Sequence, residues 1–135
     1  MIGFGGSEFD VVRVLALGSQ FREADSAPKM ETVKTSGIWE FPVLRQITCD
    51  AAQGASLVDL WNTLPSGEVS RCHIPGFAIQ LILREDAVFT AAICWQCNTI
   101  SVGGRLATIS SRAFESSSES AIRLLRLCEE ITSDL

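Results

Sequence analysis

Two short segments carry the residue types best suited to chemistry: Cys72-His73-Ile74-Pro75 and Ile93-Cys94-Trp95-Gln96-Cys97-Asn98. Together they hold three of the chain's five cysteines and its only histidine. Thiolates and imidazole are the usual ligands of tetrahedral zinc, and a C-x-x-C pair is also a common redox dithiol. Cys72, His73, Cys94 and Cys97 therefore suggest either a zinc site or thiol–disulfide chemistry. The second cysteine pair of a zinc ribbon is missing.

The chain between the segments constrains both readings. Phe77–Leu83 and Val88–Cys97 read as the strands of a hairpin. With Glu85-Asp86 as its turn, Leu83 faces Val88, Phe77 faces Cys94 and Ile74 faces Cys97. Alternation then sends Cys94 and Cys97 to opposite faces, and only a bulge or tight turn would let them converge on one ion. Cys97 falls diagonal to Cys72, roughly 7–8 Å away by Cα atoms, where a thiol pair is conceivable but strained. His73 shares the Cys94 face but lies roughly 13 Å along the strand. The simplest expectation is buried strand cysteines, since free Cys behaves as a small hydrophobe. Phe89, Ala91, Ile93 and Trp95 would line one face and Phe77, Ile79 and Leu81 the other, as in a central hairpin buried on both sides. No metal or cofactor is expected; zinc on Cys72, Cys94, Cys97 and His73 is the alternative.

Other chemistries fit poorly. A His-based hydrolase needs its base within hydrogen-bond reach of the nucleophile. His73 would have to be that base, and its neighbour Cys72 faces away from it on a strand. Gly3-Phe4-Gly5-Gly6 and Gly103-Gly104-Arg105 lack the strand–helix context and the Lys-Ser/Thr of a phosphate loop. The expectation is a protein that is not an enzyme.

The elements that position these residues follow from periodicity. Phe9–Leu17 reads as a strand ended by Gly18. Residues 19–36 are polar, contain Pro28 and read as a flexible loop. Trp39–Cys49 reads as a second strand, at a sheet edge or starting after Pro42, because proline lacks the amide donor. Asp50 with Gln53 forms a capping box for a helix whose stripe is Val58, Trp61 and Leu64, with Leu57 beside it. Gly54 weakens that helix by about 1 kcal/mol relative to alanine, and Pro65-Ser66-Gly67 stops it. After the hairpin, Thr99–Val102 and Arg105–Ile109 read as strands joined through Gly103-Gly104, a two-residue turn that tolerates positive φ. Ser116 and Glu119 read as the capping box of a last helix, with Ile122, Leu125, Cys128 and Ile131 on one face. Hairpin-linked strands with two helices predict an α+β fold, a mainly antiparallel sheet with two helices packed on it, in one domain over residues 1–135.

Length and charge bound the function. The 135 residues suit one core, and 47% apolar with 20% charged residues describes a globular chain. No basic leader and no run of roughly 20 apolar residues is present, so a cytoplasmic protein without membrane contact is expected, its cysteines mostly reduced. The net charge of −5 disfavours nucleic-acid binding. It suits a basic protein partner, met through Glu85 and Asp86 at the hairpin tip and Glu129 and Glu130 near the C-terminus. A hydrophobic interface on Trp39 or Phe41 is the alternative.

From Gly37 to about Ile131 the chain resembles a group of small uncharacterised bacterial proteins. They carry a C-x-x-P segment, a strand pair, an I-C-[FW]-x-C-x-[NQ] segment and a C-terminal helix. The matching residues are Cys72 to Pro75 and Ile93 to Asn98, with Phe41-Pro42-Val43-Leu44 ahead of them. Phe77 stands where that group often has histidine, a departure that bears against carrying over any metal site of the group, and the resemblance implies no known activity. By analogy of size and charge, the leading expectation is an immunity-type protein that neutralises a partner toxin. A zinc-binding or thiol-redox regulatory domain, or a structural subunit of a larger complex, are the alternatives.

Overall fold

The computed structural model describes residues 9–18, 32–34, 40–68 and 75–133. The elements are β1 (Val11–Leu17), β2 (Thr32–Lys34), β3 (Glu40–Thr48), α1 (Ala51–Asn62), β4 (Phe77–Leu83), β5 (Asp86–Cys94), β6 (Thr99–Gly103), β7 (Ser111–Ala113) and α2 (Glu119–Ser133). The strands form one sheet in the order β2-β3-β1-β4-β5-β6-β7. Every described pairing is antiparallel. β3 and β4 flank β1, so they run parallel to each other, and α1 makes the crossover between them. The fold is α+β, as the element pattern predicts. No helix among the described residues is long and apolar enough to cross a membrane.

Local sequence explains the first helix. Asp50 Oδ1 accepts from the Gln53 amide at 2.8 Å, and Gln53 Oε1 accepts from the Asp50 amide at 3.1 Å, which completes the expected capping box. Leu57, Trp61 and Leu64 are buried, with Val58 half-buried at the margin. Gly54 has a packing reason as well as a propensity cost. A Cβ there would meet Val12 Cγ2 at 3.2 Å, so glycine lets α1 approach β1 closely.

Other expectations shift. β3 includes Pro42 and is not an edge strand, because the short β2 pairs with its first residues, Thr32 opposite Pro42. β2 lies inside the segment read as a loop over 19–36; residues 19–31, 35 and 36 are outside the described residues. The strand expected at Arg105–Ile109 is displaced to β7. Gly104 has φ 104°, and a Cβ on it would lie 2.5 Å from the Val88 carbonyl oxygen. The Leu106 amide donates to that same carbonyl at 3.0 Å. The chain thus folds against β5 before returning. The last helix starts two residues late: Ser118 Oγ, not Ser116, accepts from the Ala121 amide at 3.2 Å. Its buried side is Ala121, Leu124, Cys128 and Ile131, while Ile122 is 40% exposed.

The largest correction is the register of the β4–β5 hairpin. The turn is Arg84-Glu85, with φ of 51° and 73°, not Glu85-Asp86. Leu83 therefore pairs with Asp86, and a bulge leaves Val88 as an extra residue, after which Leu81 faces Phe89 and Phe77 faces Ile93. Because side chains alternate, this slip brings the two apolar sets onto one face. Ile79, Leu81, Phe89, Ala91 and Ile93 all join the main core under the two helices, with Phe77 and Trp95 packed against it. The opposite face holds a smaller cluster of Leu15, Leu17, Phe41, Ala78 and Ala92. A polar row crosses that face by register, Thr48–Arg13–Gln80–Thr90. Gln80 Nε2 donates to Thr90 Oγ1 at 3.2 Å within it.

Candidate functional site

β5 ends at Cys94, and residues 95–98 form a turn into β6, where Cys94 pairs with Thr99. The expected continuous strand to Cys97 is absent. Asn98 supplies the bend with φ 57°, a left-handed conformation that asparagine tolerates better than most residues. The turn folds the C-x-x-C back on itself, so the two cysteines no longer follow strand alternation. The Cys97 amide donates to Cys94 Sγ at 3.1 Å.

Three features hold this turn. Trp95 Nε1 donates to the Ala121 carbonyl in the first turn of α2 at 2.8 Å. Its ring meets Phe77 edge-on with centroids 6.1 Å apart, and Phe114 at 6.2 Å. The Asn98 carbonyl accepts from the Phe114 amide at 3.0 Å, and its side-chain oxygen accepts from Ser116 Oγ. Ser116, expected to cap α2, instead ties its lead-in to the cysteine turn. Beside the turn lies a polar groove of about 390 Å³ bordered by Asn98, Ser116, Gly67 and Glu68.

The sulfurs differ in state. Cys97 is disulfide-bonded and buried. This departs from the expectation of reduced, unpaired strand cysteines. Cys94, Cys49 and Cys128 are free and buried. Cys72 and His73, the other candidate ligands, lie outside the described residues. Among the described residues, no group of three or more His, Cys, Asp or Glu side chains is arranged to hold a metal ion.

The sequence did not point to a second thiol locus. Cys49 directly follows β3 and Cys128 lies on the buried side of α2, near enough for a Cys49 thiolate to disfavour ionisation of Cys128. Burial, then the neighbouring Asp50 charge, pushes the Cys49 thiol up to about 11. Burial raises the Cys128 thiol further, with Cys49 and Glu129 adding to the effect. Both are poor nucleophiles near neutrality, because the thiolate is the reactive form. Only the burial of Cys128 was legible in advance, from its place on the helix stripe.

The acidic candidates are on the surface. Glu85 lies in the β4–β5 turn, Asp86 opens β5, and Glu129 and Glu130 lie on α2; all four are exposed. None forms an ion pair among the described residues, where Glu119 with Arg123 at 3.6 Å is the pair seen. Phe41 is fully buried and offers no exposed hydrophobic interface; Trp39 is outside the described residues. Comparison with protein families, curated proteins and solved structures finds no match to this chain.

Proposed function

We propose that this chain is a small cytoplasmic bacterial binding protein, not an enzyme, that acts by contact with a basic protein partner. Its most concrete form is an immunity-type protein that occludes a toxin. One observation carries the reading: the charged β4–β5 tip is held in an unfavourable backbone. Two-residue hairpin turns with both φ positive favour Asn-Gly. Arg84 and Glu85 occupy those positions with φ of 51° and 73°. L-residues with a Cβ cost roughly 1–2 kcal/mol each in this region. Strained positions of this kind cluster at functional surfaces, and here the strain presents Glu85 and Asp86 to solvent. The net charge of −5 adds a long-range attraction for a basic partner. The test is the association rate with the isolated partner at low and high salt. The rate should fall as salt rises and fall again in a Glu85→Lys/Asp86→Lys variant. A salt-independent rate, unchanged in the variant, sinks the reading.

The disulfide on Cys97 favours a second reading, a thiol-redox regulatory domain. In a cytoplasmic protein, disulfides are usually transient, catalytic or redox-sensing. The free Cys94 sulfur beside the Cys97 amide is the partner such a site would use. In this state the Cys97 sulfur is committed to another sulfur, so any zinc reading requires reduction first. Equilibration in graded glutathione buffers, followed by trapping and peptide mapping, decides the matter. A transition above about −250 mV supports a redox role, and resistance to below about −300 mV marks the bond as structural.

A further inference from the structure

We infer that the groove between the start of β1 and the exposed side of α1 docks a basic segment of a partner protein, an inference that rests on the protein-binding reading above. The groove has a volume of about 530 Å³, within the usual range of binding pockets. Its floor is apolar, with half-buried Phe9 and Val58 and buried Val12 among its lining. Ala51, Gly54 and Ala55 come from one side of α1, since positions three and four apart share a helix face. Exposed Ala51 and Ala55 leave the floor open where longer side chains would fill it, while buried Gly54 packs directly on Val12.

Three exposed carboxylates border this floor: Asp10 before β1, Asp50 at the N-cap of α1, and Asp59 further along the helix. No lysine or arginine lines the groove. Asp10 Oδ2 accepts from the Arg84 amide at 2.8 Å, and Asp50 Oδ1 from the Gln53 amide at 2.8 Å. Each keeps its second oxygen for a cation. An arginine or lysine side chain fits this layout along its whole length: the methylene stem lies on the apolar floor and the charged head reaches the carboxylates. An acidic peptide, a nucleic acid or a second copy of this chain, with its net charge of −5, would meet like charge instead. The Asp10 bond to Arg84 also joins the groove to the base of the strained hairpin tip.

The test is a ¹⁵N NMR titration of the full chain with a capped synthetic peptide alternating leucine and arginine, beside versions with glutamine or glutamate in place of arginine. The arginine peptide should give saturable shifts centred on the amides of Asp10, Ala51, Ala55 and Asp59, and the glutamate peptide none. Asp59→Lys and Ala55→Arg alter exposed positions on α1, so an unchanged amide spectrum elsewhere will show that each variant folds. Each should weaken binding by about tenfold or more, the equivalent of roughly 1.4 kcal/mol. Equal binding of the glutamine peptide, or variants that bind like wild type, overturns the inference. Shifts confined to Glu85, Asp86, Glu129 and Glu130 also overturn it, yet leave the basic-partner reading standing. No saturable shift anywhere overturns it as well; the broader reading then falls only if association with the isolated partner is salt-independent.

Discussion

Trp95 joins three parts of the molecule through one side chain: the cysteine turn, β4 through Phe77, and α2 through the Ala121 carbonyl. Replacing it with phenylalanine keeps most of the apolar contact but removes the indole donor. The expected loss is about 1–2 kcal/mol, read by urea unfolding, since the carbonyl is left without that partner. Trp61 is 1% exposed and meets Phe89 edge-on at 5.9 Å. Trp61→Ala should cost about 3–5 kcal/mol, and a loss below about 1 kcal/mol would contradict its burial. The buried thiols predict a pH dependence. A cysteine titrates near 8.5 when unfolded, whereas folding raises Cys49 to about 11 and Cys128 higher still. Above about pH 8.5 the folded state therefore holds more protons than the unfolded state, and stability must fall as pH rises. The contribution is fully present below that pH and is lost progressively through about 11 for Cys49. Thermal unfolding between pH 7 and 11 should show this decline, and it should flatten in a Cys49→Ala/Cys128→Ala variant.

At the scale of elements, turns and helix starts set what the strands and stripes then display. The Arg84-Glu85 turn makes the clearest forecast. Arg84→Asn with Glu85→Gly should stabilise the protein by about 1–3 kcal/mol in urea, because it relieves two left-handed side-chain positions. The same variant removes one charge of each sign and leaves the net charge at −5, so any change in its association rate with a basic partner reports the local loss of Glu85 and of the strained turn together. α1 makes an opposing pair. Asp50→Ala should cost about 1 kcal/mol by loss of the cap. Gly54→Ala would gain about 1 kcal/mol by helix propensity alone, but its Cβ would press on Val12 at 3.2 Å. Calorimetry should therefore show no net gain. A full propensity gain would mean that α1 can move away from β1 without penalty.

Over the whole molecule, the two sides of the sheet have different characters. One carries the main core and both helices; the other carries the smaller cluster and the polar row through Arg13 and Gln80. Arg13 Nε is buried without a hydrogen-bond partner among the described residues. Arg13→Met keeps the aliphatic length and removes a guanidinium that lacks full compensation. It should be neutral or stabilising by up to about 1–2 kcal/mol in denaturant unfolding. A loss of several kcal/mol would reveal an interaction that the guanidinium makes across that face. The acidic features, by contrast, are spread over the surface, at the hairpin tip, along α2 and around the α1 groove. A net charge of −5 places all of them in one negative field, of the kind that raises the encounter rate of an oppositely charged molecule.

Local sequence alone determined the kinds of the longer elements and several of their ends, though not the short β2 and β7. The Asp50–Gln53 box, the stripe of Leu57, Trp61 and Leu64, and the apolar runs of β1, β4 and β5 act over a few residues, so their signals lie within a few residues. The α+β class follows from their order. What neighbouring sequence left open was which residues meet across space. A period-2 strand makes both registers of the β4–β5 hairpin look apolar, and the choice fell to a turn, Arg84-Glu85, whose residues do not advertise it. The slip decided which face the core occupies. The placement of Cys97 was hidden for the same kind of reason. Val88 to Cys97 reads as strand by composition, but Trp95 is drawn to Ala121 and Asn98 to Phe114 and Ser116, contacts supplied by the far end of the chain. Those distant contacts turn the C-x-x-C back on itself, bringing the Cys97 amide onto the Cys94 sulfur, an arrangement no window of neighbouring residues could specify.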